Sequence, residues 1–173
     1  MATPLRLAVG SPEAGQVLSF NNGQWANASV VPLAVEKSDG AVLSGADPIF
    51  TVTGGPVLAQ IYGIVATTIV GAATMKLQHT TVTPAATAEL NAAAVAVDDD
   101  AAGTSYYNVG ATSVFTPVTA GAVKLDPVTV EPTWFLLPIG TTKATASAAR
   151  AGVIKWYMRY VPLSPSSLVE AAA

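Results

Sequence analysis

The single histidine of the chain is the first residue to test for chemistry. His79 lies in the stretch Met75-Lys-Leu-Gln-His-Thr-Thr, where positions 75, 77 and 79 share one face of a predicted strand. A hydrolytic triad needs a nucleophile and an orienting acid, but the chain has no Gly-x-Ser-x-Gly elbow. The nearest acids on either side in sequence, Asp47 and Glu89, form no local motif with the histidine. We therefore predict a structural histidine on a strand face and no catalytic residue.

Three consecutive aspartates, Asp98-Asp99-Asp100, form the only acidic run. Carboxylate oxygens are ligands that calcium prefers in proteins. Consecutive side chains diverge, however, and a calcium loop alternates its ligands and ends on a distal glutamate, which this segment does not do. The run therefore favours a solvated turn that ends at Gly103, and we predict no metal ligand.

Other patterns that could support catalysis are weak. Thr53-Gly54-Gly55-Pro56 lacks the Gly-Lys-Ser/Thr of a phosphate-binding loop, so we interpret it as a hairpin turn. The absence of cysteine removes thiolate nucleophiles and cysteine-based metal sites. Paired carboxylates could still be assembled from distant positions, but no aromatic cleft pattern accompanies the eleven acids. We predict that the protein is not an enzyme and binds no cofactor.

The composition raises the question of what covers the apolar surface. Hydrophobic residues make up 51% of the chain and charged residues only 11%, well below the roughly 25% typical of soluble domains. Lipid, a self-contained core or neighbouring subunits could cover such a surface. The net charge is −3 and the eight basic residues are scattered, so the chain offers no cluster for phosphates. We predict no nucleic-acid partner.

One uncharged stretch, residues 57–75, is long enough for a membrane-spanning helix. Its residues are mostly β-branched or small, and Gly63 and Gly71 would interrupt a helix. Its flanks also lack the Lys and Arg clusters that set membrane topology. A pair of buried strands, 57–62 and 64–70, explains the stretch better, and we predict no membrane partner.

Residues 46–164 consist of short β-type segments separated by turn residues, which is typical of an all-β antiparallel sandwich or barrel domain. In the clearest segment the apolar positions 154, 156, 158 and 160 alternate with Lys155, Tyr157 and Arg159, so one face should be core. Alanine-rich residues 84–97 predict a short helix. The predicted strands are 49–53, 57–62, 64–70, 74–81, 105–109, 113–118, 122–125, 128–130, 134–139, 142–148 and 153–161.

Residues 1–45 are rich in proline and glycine and poor in long apolar runs. They predict an extended N-terminal arm with a small hairpin, whose strands 16–20 and 24–28 are joined by an Asn22-Gly23 turn. The hairpin concentrates Val17, Leu18, Phe20 and Trp25, which we predict to form an assembly interface. The alternative is that the hairpin folds back on its own domain. Residues 165–173 are predicted to form an extended C-terminal tail.

Several segments resemble phage proteins. Gly15-Gln-Val-Leu-Ser-Phe-Asn-Asn-Gly-Gln-Trp-Ala-Asn resembles a short element that recurs in phage fibre proteins. Three further segments look like parts of small phage virion proteins: Pro48-Ile-Phe-Thr-Val-Thr-Gly-Gly-Pro-Val, Ala102-Gly-Thr-Ser-Tyr and the closing Gly152-Val-Ile-Lys-Trp with Tyr160-Val-Pro-Leu. The resemblance implies a capsid-associated decoration or head-fibre subunit. Such subunits are generally trimers whose N-terminal arm contacts the particle and whose β-domain faces outward.

The residues predict a non-enzymatic structural subunit, and the resemblance implies a phage virion structural protein of the head decoration (cement) or head-fibre type. It is expected to form a homo-oligomer, a trimer, and to bind the major capsid protein or other virion proteins. Its expected location is the virion, assembled in the bacterial host cytoplasm. A tail or baseplate component is one alternative. The other is a carbohydrate- or receptor-binding module, in which Trp134, Tyr106 and Tyr107 stack on sugars rather than packing in a core or interface.

Overall fold

The computed structural model of the chain describes residues 16–21, 24–29, 32–42, 45–91, 94–109, 114–118 and 133–173. Every regular element in these residues is a β-strand, which confirms the all-β class. The strands are β1 (Gln16–Asn21), β2 (Gln24–Ser29), β3 (Leu33–Val42), β4 (Gly45–Thr53), β5 (Val57–Val70), β6 (Thr74–Thr81), β7 (Ala86–Glu89), β8 (Val95–Ala96), β9 (Ser105–Val109), β10 (Val114–Val118), β11 (Phe135–Leu137), β12 (Gly140–Ala146), β13 (Arg150–Pro162) and β14 (Leu168–Ala171).

The chain divides into two compact units, Met1–Leu33 and Ala34–Ala173. In the first unit β1 and β2 form the predicted antiparallel hairpin, with Gln16 opposite Ser29 and Asn21 opposite Gln24. The predicted Asn22-Gly23 turn and the predicted strands 122–125 and 128–130 lie outside the described residues. The second unit begins at Ala34 rather than at residue 46, because β3 pairs with β13 in this unit.

The first sheet of the second unit has the strand order β10-β9-β5-β13-β3, and β11 also pairs with β5. Antiparallel β13 follows one edge of β5 over its whole length, from Val57 opposite Pro162 to Val70 opposite Ala151. The other edge of β5 is shared by β11 and β9. Beyond β9, the amides of Val65 and Ile69 donate to carbonyls of the loop before β9, so this edge stays hydrogen-bonded.

The second sheet has the order β12-β6-β7, with β8 also on β6. Strand β14 pairs with β4, which lies alongside β12 and so extends this layer. The predicted C-terminal tail therefore contains a strand, and the amide of Ala172 continues its pairing by donating to the carbonyl of Ile49 over 3.0 Å. The two antiparallel sheets pack face to face, which makes the unit a β-sandwich.

A single hydrophobic core fills the space between the sheets. In β13 the apolar positions 154, 156, 158 and 160 are all buried, which confirms the predicted alternation. The Trp156 ring lies over Gly63, the residue opposite it on β5, and a Cβ at Gly63 would come within 2.8 Å of that ring. The glycine is therefore needed for close packing of the largest side chain in the core.

The uncharged stretch 57–70 forms one continuous strand, so the predicted strand pair is wrong. Gly63 does not break the strand, because the missing side chain makes room for Trp156. The strand ends at Gly71, whose φ of +91° suits glycine and starts the turn to β6. The described part of the chain contains no helix of the length and hydropathy needed to span a membrane.

The helix predicted for residues 84–97 is also wrong. Residues 86–89 form β7, which pairs with the end of β6, and Val95–Ala96 pairs with its beginning. Between them, Asn91 is buried and its Oδ1 accepts from the amide of Leu77 over 2.6 Å. Alanine gives a short helix little intrinsic stability in water, and hydrogen bonding to β6 outweighs it.

Candidate interaction surfaces

His79 lies on β6 at the predicted strand face and is only 2% exposed. Its Nε2 is 3.0 Å from the carbonyl oxygen of Pro138, which only accepts, so Nε2 carries the proton. Its Nδ1 is then an acceptor for the Thr142 hydroxyl, also at 3.0 Å. Burial lowers the pKa of His79, and the Pro138 hydrogen bond opposes part of that effect. Burial thus favours the neutral ring, and the two hydrogen bonds connect β6 to the residues at the start of β12.

Because the pKa of His79 is lower in the folded than in the unfolded protein, acid should destabilise the fold. Below about pH 6.5 His79 binds a proton in the unfolded chain but not in the folded chain, so the free energy of unfolding falls as the pH is lowered. The loss is at most ~1.4 kcal/mol per pH unit and stops once the pH is below the folded pKa. Urea unfolding between pH 7.5 and pH 5 measures it. His79→Gln, which keeps a donor and an acceptor, should lack this component, and an unchanged pH dependence in that variant would contradict the assignment.

Each of the three aspartate side chains accepts a hydrogen bond from another residue of the chain. Oδ1 of Asp98 accepts from the amide of Ala73 at 2.8 Å, and Oδ1 of Asp99 accepts from the amide of Gly71 at 2.7 Å. Oδ2 of Asp100 accepts from the buried Tyr106 hydroxyl. The run is thus a turn, as predicted. Its side chains also hold the connection between β5 and β6 in place through the hydrogen bonds to Gly71 and Ala73. In the described residues no three His, Asp or Glu side chains form a metal-binding group.

The segment Thr53-Gly54-Gly55-Pro56 is a turn, but not the predicted hairpin turn. It joins β4 of the second sheet to β5 of the first, and these strands do not pair. The Ser166 hydroxyl donates to the carbonyl of Gly54 at 2.6 Å, and the Ser167 hydroxyl donates to the carbonyl of Pro56 at 2.8 Å. The serines before β14 therefore satisfy the exposed carbonyls of this crossover.

The predicted assembly residues Val17, Leu18, Phe20 and Trp25 all belong to the β1–β2 hairpin. Phe20 is directly opposite Trp25, while Leu18 is opposite Asn27 and Val17 is opposite Ala28. The alternation of a strand places positions 18, 20 and 25 on one face of the hairpin and position 17 on the other. The hairpin thus brings three of the four positions together on one face.

The three aromatic residues considered for sugar stacking differ in exposure. Tyr106 is fully buried, and its hydroxyl donates a hydrogen bond to Asp100. Burial and this hydrogen bond raise the pKa of the hydroxyl. Tyr106 is therefore unavailable to a ligand. Tyr107 is half-buried and Trp134 is 44% exposed.

Tyr107 is part of a row of tyrosines across the outer face of the first sheet. Tyr62 on β5 is opposite Tyr107 on β9 and also opposite Tyr157 on β13. All three are half-buried and alternate with buried neighbours, so their rings lie on the side away from the core. Neighbouring strands are about 4.8 Å apart, so this tyrosine row extends over ~10 Å.

Polar and charged side chains flank the tyrosine row. On β13, Lys155 and Arg159 occupy the outward positions on either side of Tyr157. Lys155 is 3.5 Å from Glu36, whereas Arg159 is exposed and forms no ion pair with the described residues. Gln60 is opposite Arg159, and its Oε1 accepts from the Tyr62 hydroxyl at 2.9 Å. Burial raises the pKa of Tyr62, and the positive charge of Arg159, two residues from Tyr157 on β13, opposes this.

A second surface, the apolar end of the sandwich, lies where β5 begins. Val57 is opposite both Leu137 and Pro162, so β5, β11 and β13 meet there. The amide of Val82, just after β6, donates to the carbonyl of Ile139, just before β12, at 3.1 Å. Residues of the second sheet therefore also lie at this end. Nine large hydrophobic side chains are exposed in the described residues, and five of them lie at this end: Val82, Leu136, Ile139, Leu163 and Leu168.

Sequence reasoning missed both surfaces. Tyr62 and Tyr157 come next to Tyr107 only through the register of three strands that are distant in sequence. The sequence predicts a pair of buried strands for the stretch 57–70, and that prediction does not single out the outward position of Tyr62. For the apolar end, the three consecutive apolar residues 135–137 are a usable signal, because a strand must place the middle one, Leu136, on the opposite face from the other two.

No protein-family model matches the chain, and no curated protein and no solved structure matches it significantly.

Proposed function

We propose that the protein is a non-enzymatic structural subunit of a bacteriophage particle, of the head decoration or head-fibre type. It assembles with copies of itself, as a trimer, and is anchored to the major capsid protein or another virion protein through its N-terminal hairpin region. A tail or baseplate position is the alternative within the same class.

The observation that carries the proposal is the apolar end. Exposed apolar side chains are normal when scattered, but a contiguous patch marks a surface that another protein covers. Here five of the nine exposed large hydrophobic side chains of the described residues lie at one end of the sandwich, and only 11% of the chain is charged. A permanent interface, which resembles a core cut in two, accounts for such a surface.

The geometry of the polar residues adds support. His79 binds Thr142 and Pro138, and neither contact involves a carboxylate or a nucleophile that solvent can reach. The aspartates at 98–100 are bound to backbone amides and to Tyr106. In the described part of the chain these groups stabilise turns and strand crossovers, which suits a rigid building block.

The proposal predicts that the chain is a constituent of phage particles. Mass spectrometry of particles purified from the source of this sequence should find it at a fixed ratio to the major capsid protein. Many copies per particle would favour head decoration, and a few copies would favour the tail or baseplate. Absence from purified particles, with the protein present in the infected cells, would contradict the proposal.

A further inference from the structure

We propose that the tyrosine row, Tyr107, Tyr62 and Tyr157, together with Arg159 and Lys155, is a binding surface for a glycan chain that carries carboxylate groups. This inference uses the outer face of the first sheet and not the apolar end. It therefore does not rest on the proposed assembly.

The shape and chemistry of the row suit sugar rings. The three tyrosines are cross-strand neighbours on three adjacent strands, so their side chains share one face of the sheet. The negative face of an aromatic ring attracts the C–H groups of a sugar, and the hydroxyl at its edge bonds to sugar hydroxyls. Gln60 is 5% exposed and holds the Tyr62 hydroxyl, so this ring is oriented before any ligand binds.

Charge complementarity indicates an acidic glycan. The chain has a net charge of −3 and only eight basic residues, yet two of them flank the row. Arg159 offers a planar guanidinium that can bind a carboxylate through two hydrogen bonds. Lys155 offers a second cation, which Glu36 at 3.5 Å only partly compensates. A neutral glycan would not engage these positive charges, and an acidic one would.

Calorimetric titration of the full chain with short oligogalacturonates tests the proposal. We expect saturable binding that weakens with added salt, because the cations contribute. The same oligomers with methyl-esterified carboxyl groups keep the sugar rings and lose the charge, so their affinity should be at least about tenfold lower, as for a lost charged hydrogen bond.

Variants then assign the binding to this face. Arg159→Ala and Tyr157→Ala should each weaken oligogalacturonate binding by about tenfold. Tyr157→Phe keeps the ring and should retain most of the affinity. Lys143→Ala removes a cation from β12 in the second sheet and should change nothing. Circular dichroism checks the fold of each variant, and exposed Arg159 can be replaced without disturbing the core.

Three results would overturn the proposal: no binding of the oligogalacturonates, equal affinity for the esterified oligomers, or binding that Arg159→Ala and Tyr157→Ala leave unchanged. Equal affinity for the ester would indicate a neutral glycan surface. Unchanged binding in the variants would place the ligand elsewhere on the chain.

Discussion

Replacing Trp156 with alanine should lower the free energy of unfolding by about 3–5 kcal/mol, the usual effect of truncating a large buried aromatic side chain. Trp156 is 1% exposed and is the largest fully buried side chain of the described residues. Its ring packs over Gly63, so truncation leaves a cavity that the rigid β5–β13 pair cannot close. The loss is a large part of the ~5–15 kcal/mol that stabilises a typical domain.

Urea unfolding followed by far-ultraviolet circular dichroism measures this effect without relying on tryptophan fluorescence. Tyr157→Ala is the matched control, because it removes the neighbouring aromatic ring from the outer face of the same strand. A cross-strand pair contributes roughly 0.2–1 kcal/mol, so this variant should lose no more than about 1 kcal/mol. Equal losses in the two variants would mean that β13 does not face the core as described.

The second large effect concerns assembly. Val82 and Leu136 are 64% and 62% exposed, so changing both to glutamate should alter the stability of one subunit by less than about 0.5 kcal/mol each. In a self-associated form, each glutamate would be buried in an apolar interface. We expect association to weaken by at least about 2 kcal/mol per site, which is ~30-fold. Sedimentation velocity should then find single subunits at concentrations where the original protein is a trimer.

Val70→Glu provides the matched control for this variant. Val70 is 61% exposed but lies at the opposite end of β5, away from the apolar end. The same charge placed there should leave the oligomer intact. If Val70→Glu dissociates the protein as strongly as the paired variant does, the apolar end is not the interface and general charge repulsion is the cause.

The sequence predicts the all-β class and most of the strands of the described residues, because strands that face a core on one side alternate in polarity. Strands β6 and β9 have the predicted limits, and β13 has the predicted buried face. The predictions fail where the deciding partner is distant in sequence. Gly63 looks like a strand break until Trp156 is placed opposite it, and residues 84–97 look helical until β6 supplies their hydrogen bonds.

The candidate surfaces are harder to predict than the strands. The tyrosine row needs the register of residues 62, 107 and 157, which local periodicity does not specify. Likewise, the apolar end combines Val82 from the second sheet with Leu136 from the first. The sequence identifies single candidate residues for a binding surface, such as Tyr107 and Trp134. It does not predict which other residues lie next to them in space.

The most direct test of the central claim, that the protein works by assembling with copies of itself, is the mass of the full chain in solution by multi-angle light scattering. The account predicts a monodisperse species of about three times the 17.5 kDa of one chain. A monodisperse single chain that persists as the concentration is raised about a hundredfold would contradict self-assembly, because mass action should by then have formed the oligomer.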